Sequence, residues 1–476
     1  MTIQPNGHTA SREERNKANL APFANPAVPG YPTFLTAQPQ PVGSLLPAEK
    51  FPQNANPPKA FEPITIRGVT FPHRLWVSPM CQYSSDNGHA TDHHFVHIGA
   101  MAQRGWQGIT VEATAYVPEG RITPSDAGIW DDSHIAPLKR QVDFVHAHKG
   151  TIGIQLAHAG RKASTLEPWV QVQHEEAGWT GGHVTDDEHG GWWKDVAAAS
   201  DLSYDNEKYP HPKESSLEYI ESLKVAFRAA IERCKKIGFD FIEIHGAHGY
   251  YLHNFVDPVS NVRTDQYGGN LENRLRLPLE MAKIARENWD KPLFYRLSAS
   301  DWLDDVVGPE KGHPGEKEEW SWWGIEQSTI LTQKLADIGV DLIDVSSGGN
   351  DARQQIKVGP SYQVPFAKHI KEHVKNIIVG AVGIITDPAQ ANDIIENGEA
   401  DVVYFARQVL RDIDFPLQAA ETLGAAVSPI VQFERAWSRM VVKRDHLKAE
   451  AHHEARSEVE GEEGKEGKRQ EEKKKN

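Results

Sequence analysis

The sequence is short of cysteine and of long apolar runs, and each shortage excludes a class of protein. Only Cys81 and Cys234 occur among 476 residues, too few for a cysteine-held iron–sulfur cluster or zinc site. Because these two cysteines are far apart in the chain, we expect free thiols in a reducing compartment. No apolar run reaches the ~18 residues of a membrane-spanning helix, so we expect no membrane insertion.

Net positive charge is also lacking, since the formal net charge is −15. An acidic chain has no electrostatic reason to bind nucleic acid or an anionic membrane, and we expect neither partner. The first 30 residues contain no apolar segment typical of a secretory signal, so we expect a cytoplasmic protein. Apolar residues make up 39% of the chain, which is enough for a large core.

The composition divides the chain into three parts. Residues 1–60 are rich in proline, which prevents long helices and central strands. We predict an extended arm there, either disordered or laid across the surface. Residues 443–476 mix Glu and Lys with almost no apolar side chain, so this charged tail cannot bury a core. Residues 61–442 are therefore expected to form the folded domain.

Within that domain, short apolar runs alternate with stretches of helical spacing. Near-continuous apolar strands are typical of a parallel sheet covered on both faces. Eight such strand–helix repeats predict an α/β fold of the (β/α)8 barrel (TIM barrel) type, with an open doubly wound sheet as the alternative. The eight runs are LWVSPM from Leu75, GITVEATAY from Gly108, TIGIQLAH from Thr151, FDFIEIHGAH from Phe239, PLFYRLSAS from Pro292, VDLIDVSSGG from Val340, NIIVGAVG from Asn376 and ADVVYFAR from Ala400.

An insertion, at about residues 163–214, separates the third apolar run from the next helix. It is rich in Trp, Gly, His and Asp. A loop of this length in a compact domain is usually an active-site lid or is disordered. Because it follows the carboxyl end of a barrel strand, where the active sites of this fold lie, we predict a lid.

Polar side chains at the predicted strand ends allow two kinds of chemistry. His245 and His248, with an acid, would suit a divalent metal ion in a hydrolase. Alternatively, the strand ends would bind an organic cofactor with a polar, planar ring. The last two strands end in Gly380–Gly383 and Arg407, and the loops after strands seven and eight commonly bind phosphate in this fold. The glycines alone would equally suit a simple turn.

Six motifs, in matching order over roughly residues 60–440, resemble those of the Old Yellow Enzyme family. The resemblance implies an FMN-dependent oxidoreductase on a (β/α)8 barrel. Such an enzyme uses NADPH or NADH to reduce α,β-unsaturated carbonyl or nitro compounds by a ping-pong mechanism. The motifs are SPMCQYSS (78–85), VEATAYVPEGRIT (111–123), GIQLAHAGRK (153–162), IEIHGAHGYYLHNFVDPVSNVRTDQYGGNLENR (242–274), RLSASDW (296–302) and ARQVLRD (406–412).

The same resemblance implies catalytic roles. His245 and His248 resemble the pair that binds the oxygen of the substrate's electron-withdrawing group, and Tyr250 resembles the proton donor to the α-carbon. Cys81 resembles the cysteine that tunes the flavin in the thermophilic-like subclass. Tyr83 resembles a tyrosine that hydrogen-bonds the substrate from the other side.

The resemblance also implies the cofactor site. Gln155 and Arg296 resemble side chains at the pyrimidine edge of the flavin, where a positive charge would stabilise the reduced ring. Arg435, in VQFERAW (431–437), resembles an arginine that reaches the neighbouring subunit's site in a homo-oligomer. The remaining positions around the ring, the ribityl chain and the phosphate are Pro79, Met80, Cys81, Ala113, Ser347, Gly348, Gly383, Ala406 and Arg407.

Two departures from the family pattern bear on these roles. Ala406 and Ala436 stand where the family usually has glycine. The methyl group of Ala406 would crowd the phosphate, and Ala436 would shift the neighbouring Arg435. Three alternatives remain at this point. They are a flavin dehydrogenase acting oxidatively, for example on amines, a metal-dependent barrel hydrolase using His245 and His248, and a binding protein on a decayed barrel.

Overall fold

The computed structural model of the chain describes residues 25–311 and 320–437. The described strands are β1 (Ile64–Ile66), β2 (Val69–Phe71), β3 (Leu75–Val77), β4 (Gln107–Ala115), β5 (Ile152–Ala157), β6 (Ala197–Ala198), β7 (Lys213–Glu214), β8 (Phe241–Gly246), β9 (Leu293–Ser298), β10 (Leu342–Ser346), β11 (Ile378–Ala381) and β12 (Val402–Phe405). The described helices are α1 (Asp92–Gln103), α2 (Ile135–Ala147), α3 (Pro168–Glu176), α4 (Leu217–Ile237), α5 (Tyr251–Val256), α6 (Leu271–Asn288), α7 (Asp304–Val307), α8 (Ile325–Ile338), α9 (Val364–His373), α10 (Pro388–Glu396), α11 (Arg407–Arg411) and α12 (Phe415–Leu423).

Eight of these strands form a closed parallel barrel. Their order is β3, β4, β5, β8, β9, β10, β11 and β12, and β12 pairs with β3 to close the ring. Each of the eight apolar runs contains one barrel strand, so the predicted (β/α)8 barrel is confirmed and the open sheet is wrong. Every residue of β5, β8 and β9 is buried, because helices cover the outside and side chains fill the inside.

The helix α4 shows why the sequence folds in this way. Its N-cap Ser216 accepts a hydrogen bond from the N–H of Tyr219, and its apolar face buries Ile220, Leu223 and Phe227. The helix ends at Gly238, whose φ of 97° is costly for any residue with a side chain. The next strand, β8, then begins at Phe241 and brings its carboxyl end to the mouth of the barrel.

Aromatic rings close the amino-terminal end of the barrel. Trp76 stacks on Phe294 with ring centroids 5.8 Å apart, and Phe241 stacks on Phe294 at 4.7 Å. Gly153 makes room for this floor, because a Cβ there would lie 2.3 Å from the Phe241 ring. The apolar floor leaves the opposite, carboxyl-terminal end for polar side chains.

The described part of the N-terminal arm, residues 25–60, lies against the barrel domain. Asn54 donates from Nδ2 to the carbonyls of Leu46 and Ala426, and Gln107 donates to the carbonyl of Val42. The predicted charged tail, residues 443–476, falls outside the described residues. Among the helices that the structure describes, none is long and apolar enough to span a bilayer.

The insertion at about 163–214 contains α3, β6 and β7 and is tied to the barrel domain at several points. Arg263 donates from Nη1 to the carbonyls of Ala199 and Ser215. Trp192 donates from its indole N–H to the carbonyl of Glu119. These bonds hold the insertion against the loops at the carboxyl ends of β4 and β8.

Candidate active site

Three rings meet where β8 ends. The ring centroids of His245 and His248 lie 5.3 Å apart, and those of His245 and Tyr250 lie 5.0 Å apart, both edge to face. His245 is the last-but-one residue of β8, and the other two follow in the turn before α5. The motif HGAHGY therefore folds into one compact group of hydrogen-bonding side chains.

Neighbouring strands fix the position of His248. Its backbone N–H donates to Oγ of Ser298 at 3.0 Å, and its Nε2 lies 2.6 Å from Oγ of Ser346. The residue also adopts a left-handed φ of 60°, a strained conformation that persists only when the surroundings impose it. A residue of β9 thus fixes the backbone of His248, and a residue of β10 fixes its imidazole.

Burial keeps all three rings uncharged. Desolvation, assisted by the nearby charge of Arg296, lowers the pKa of His245 and of His248 well below the usual histidine range. Desolvation, with Tyr83 and Cys81 nearby, raises the pKa of Tyr250 well above the usual tyrosine range. At neutral pH the group consists of two neutral imidazoles and one protonated phenol. The imidazoles can donate hydrogen bonds to a substrate oxygen, and the phenol can transfer a proton to a substrate carbon.

Cys81 and Tyr83 face the same group from the loop after β3. Burial, then the charges of Asp126 and Glu112, raises the pKa of the Cys81 thiol well above its ordinary value. Tyr83 adopts a left-handed φ of 47°. Since both residues contribute to the raised pKa of Tyr250, the structure brings these three predicted site residues together. A protonated thiol at Cys81 also makes it a poor nucleophile.

A polar layer lies between the apolar floor and the histidines. Gln155 donates from Nε2 to Oε1 of Glu243 at 2.7 Å. Arg296 Nε lies 3.1 Å from Oδ2 of Asp344. Burial, then the charge of Asp344, raises the pKa of Glu243 to about 8. Burial also raises the pKa of Asp344, but the adjacent charge of Arg296 opposes that rise, so at neutral pH we assign the proton to Glu243 and the negative charge to Asp344.

This layer fits the edge of a polar heterocycle such as the isoalloxazine of FMN. Several of its buried polar atoms lack a hydrogen-bond partner within the protein, a costly condition. A planar ring carrying both donors and acceptors would satisfy such atoms from above. The atoms without a partner are Ser78 Oγ, Glu243 Oε2 and Tyr404 Oη. Arg296 Nε and the Asp344 carboxylate attract each other at 3.1 Å but lack hydrogen-bond geometry.

The predicted phosphate end lies beside Tyr362 and Gln363. Gly383 has a φ of 129°, and a Cβ there would lie 3.0 Å from each of these two side chains, so only glycine suits this position. Ser347 donates from Oγ to Oε1 of Gln363 at 2.6 Å. Arg407 is exposed and close enough to Tyr362 to oppose the rise in its pKa. These residues form a small group with one positive charge, that of Arg407, which we call the cradle.

The other predicted positions follow or lie within barrel strands, apart from Arg435. Ala113 is buried in β4, and Gly348, with a φ of 69°, follows β10. Arg435 is exposed near the end of the described residues, and its predicted role depends on a partner subunit. Pro79 and Met80 are half-buried after β3, and Ala406 is the N-cap of α11.

In the described part of the chain, His245 and His248 belong to no group of three side chains with metal-ligand spacing. Among the described residues, the group with metal-ligand spacing consists of His253, Asp257 and Asp301, and in it the neutral His253 ring turns an N–H, rather than a lone pair, toward Asp301. The N–H of Gly249 donates to Nδ1 of His253 at 3.0 Å, so the proton of the neutral ring sits on Nε2, 3.3 Å from Oδ1 of Asp301.

Sequence reasoning missed several residues at the site. Glu243 sits two residues before His245 and shares its inward direction, which strand alternation would have indicated. Lys162 donates from Nζ to the carbonyls of His248 and Gly349, although it ends the quoted motif GIQLAHAGRK. Tyr362 and Gln363 precede α9 and carry no local signal in the sequence.

Comparison with known proteins identifies the class to which this fold and site belong. Residues 59–425 match the NADH:flavin oxidoreductase / NADH oxidase family. The chain belongs to this family, the Old Yellow Enzyme-like flavin oxidoreductases. It is 42% identical to an NADH:flavin oxidoreductase of Gibberella zeae over 419 residues, which cover 87% of this chain and 95% of that relative. The family assignment makes the chain an oxidoreductase and overturns the hydrolase and binding-protein alternatives.

Solved structures support the same fold. Morphinone reductase is 24% identical, with a TM-score of 0.59 over 78% of this chain and 91% of that one. A 2-naphthoyl-CoA reductase is 20% identical, with a TM-score of 0.64 over 76% of this chain. This chain spans 52% of the length of the latter protein, so the likeness extends to its barrel architecture and no further.

Proposed function

We propose that this flavin oxidoreductase is an NAD(P)H-dependent ene-reductase acting on α,β-unsaturated carbonyl or nitro compounds. The observation that carries the proposal is the joint position of His245, His248 and Tyr250 above the polar layer of Gln155 and Arg296. Two neutral imidazoles and one phenol O–H lie side by side there, and because Nε2 of His248 is bonded to Ser346, His248 would donate to the substrate from Nδ1. This set matches a substrate whose C=C bond is conjugated to an oxygen.

The cofactor would lie between the polar layer and the histidines. When bound, FMN would supply two-electron chemistry that couples NAD(P)H oxidation to alkene reduction. Gln155 and Arg296 would bind its pyrimidine edge, with the protonated Glu243 supporting Gln155. Gly383 and Arg407 would bind the phosphate, and the remaining predicted contacts would line the ribityl chain and ring, namely Pro79, Met80, Ala113, Ser347, Gly348 and Ala406.

His245 and His248 would hold the substrate oxygen. Negative charge builds up on this oxygen when the β-carbon gains hydride, and donors already in place stabilise it without reorganisation. Because both rings are neutral, their N–H groups donate without carrying charge into the pocket. Tyr83 would add a hydrogen bond from the opposite side.

Tyr250 would give its phenolic proton to the α-carbon. Its raised pKa keeps the proton in place until a carbanion-like carbon develops. The overall balance is then complete. The β-carbon gains a hydride that originates from NAD(P)H, the α-carbon gains a proton, NAD(P)⁺ is released, and the phenol regains its proton from solvent.

The test separates the two halves of this reaction. Protein should be reduced anaerobically with NADPH or NADH in a stopped-flow instrument and then mixed with 2-cyclohexenone. We expect absorbance of the cofactor to bleach in the first step and return in the second, with parallel double-reciprocal plots in steady state. If oxygen restores the absorbance but neither an enone nor a nitroalkene does so, ene-reduction is refuted. The family assignment would still stand.

A further inference from the structure

The insertion brings aromatic rings to the mouth of the proposed site. Trp169, from α3, meets Tyr83 edge to face with ring centroids 5.8 Å apart. Tyr204, from a later part of the insertion, meets Tyr209 at 4.9 Å. Tyr83 lies between Trp169 and Tyr250, and the side chain of Lys162 lies between Tyr204 and Tyr250.

Lys162 links the second pair of rings to the site. Its ammonium lies 4.0 Å from the ring centroid of Tyr204 and 5.9 Å from that of Tyr250, and Nζ donates to the His248 carbonyl at 3.0 Å. Tyr209 is close enough to contribute to the raised pKa of Tyr250. Tyr204, in the insertion, is therefore separated from the proposed proton donor by one side chain, that of Lys162.

The folding of the insertion does not explain Trp169. The helix α3 contains no buried residue. Trp169 is 50% exposed, and Val172, one turn later, is 52% exposed. Large aromatic side chains stabilise proteins mainly by burying their surface, and this indole leaves half of its surface uncovered while one edge contacts Tyr83. The uncovered surface suits a flat apolar group entering the mouth.

We infer that Trp169 is a specificity-determining residue, whose exposed indole face packs against the aryl ring of an activated alkene that carries an aryl group. This inference rests on the proposed function, since the same molecule places its carbonyl or nitro oxygen at His245 and His248. Aromatic rings prefer edge-to-face or offset contacts at 4.5–7 Å. The contact between Trp169 and Tyr83, at 5.8 Å, already follows this geometry, so an aryl ring on the uncovered side of the indole would extend it.

The test compares two nitroalkenes on matched variants of the full-length flavoprotein. The probes are trans-β-nitrostyrene, which has an aryl group, and 1-nitropropene, which has a methyl group in its place. Trp169→Ala removes the proposed contact. Trp179→Ala removes the same side chain from the same insertion at a position that is 58% exposed and whose ring contacts His174, and it serves as the control.

We expect Trp169→Ala to lower kcat/KM for nitrostyrene by about two- to tenfold, as the loss of one aromatic contact implies. The value for nitropropene should stay within about twofold, and Trp179→Ala should leave both within about twofold of wild type. As a second variant, Trp169→Phe should keep most of the kcat/KM for nitrostyrene, because it retains an aromatic ring at this position.

Three results would overturn the inference. These are an equal loss for both probes in Trp169→Ala, the same selective loss in Trp179→Ala, and a change in oligomeric mass on losing Trp169, which would make this face a contact between subunits. If the wild-type protein reduced neither of the two nitroalkenes nor an enone, the proposed function itself would be refuted. Turnover of both probes without aryl selectivity in the variants would refute only the aryl contact.

Discussion

Replacing Glu243 by glutamine tests the charge assignment of the polar layer. Glu243 is fully buried, accepts a hydrogen bond from Gln155 and lies near the ion pair of Arg296 and Asp344. If its carboxyl is protonated at neutral pH, an amide of the same shape replaces it with little loss. The substitution should therefore leave the free energy of unfolding near pH 6 within about 1 kcal/mol of wild type.

The pH dependence gives the sharper expectation. The pKa of Glu243 is about 8 in the folded chain, against an ordinary value of about 4.5. The folded state therefore holds a proton that the unfolded chain has released. The stability that this proton contributes is complete below pH ~4.5 and is lost as the pH rises through ~8. The full loss would amount to about 5 kcal/mol at most.

The assay is urea unfolding followed by tryptophan fluorescence, with excess FMN present at every pH between about 5 and 9. The difference in unfolding midpoint between Glu243→Gln and wild type should move in favour of the variant as the pH rises. Infrared difference spectra should show the carbonyl band of a protonated carboxyl in wild type that is missing in the variant. A midpoint difference that stays constant with pH would refute the assignment.

The matched change Asp344→Asn should behave differently, because Asp344 is the carboxylate next to Arg296. The variant leaves a buried guanidinium unpaired, which typically costs about 3–5 kcal/mol. Destabilisation at pH 6, where Glu243→Gln is silent, is the expected result. Equal stability of the two variants at that pH would contradict the assignment of the proton to Glu243 rather than to Asp344.

Three further predictions concern the site. Tyr250→Phe should slow enone reduction by about 10²-fold or more while cofactor reduction by NADPH stays within about twofold; stopped-flow traces showing both half-reactions unchanged would remove the proton-donor role. Arg296→Lys should weaken FMN binding by about tenfold or more in a fluorescence titration, since lysine cannot present a planar fork; an unchanged Kd would argue against contact with the ring. Because burial keeps His245 and His248 neutral, kcat/KM for an enone should show no transition near pH ~6.5, the ordinary histidine pKa. A transition at that pH in wild type that disappears in His248→Asn would show that His248 titrates, which contradicts its burial.

The barrel was predictable because its signal repeats along the chain. Each apolar run is buried on both faces, and helices such as α4 show the expected spacing of Ile220, Leu223 and Phe227. Gly238 and Gly339 end helices in left-handed conformations just before the next strand, as helix-terminating glycines do. Local pattern and global topology agree in this part of the sequence.

The site was only partly predictable, for two physical reasons. Strand-end residues such as His245 and Tyr250 stand beside recognisable strands, so their convergence follows from the barrel. Glu243 was overlooked because it lies inside an apolar run, and only the closed barrel shows its contact with Gln155. The insertion lacks periodicity, so nothing local indicates that Trp169 and Tyr204 return to the mouth.

The central claim is that the mouth of this barrel binds FMN through the polar layer and the cradle beside Gly383. The most direct measurement is to purify the full chain, release any bound flavin by acid and quantify it by chromatography against FMN and FAD standards. We predict FMN close to one molecule per chain in wild type and much less in Arg296→Lys. Protein that neither carries FMN nor takes it up when it is supplied would contradict the account.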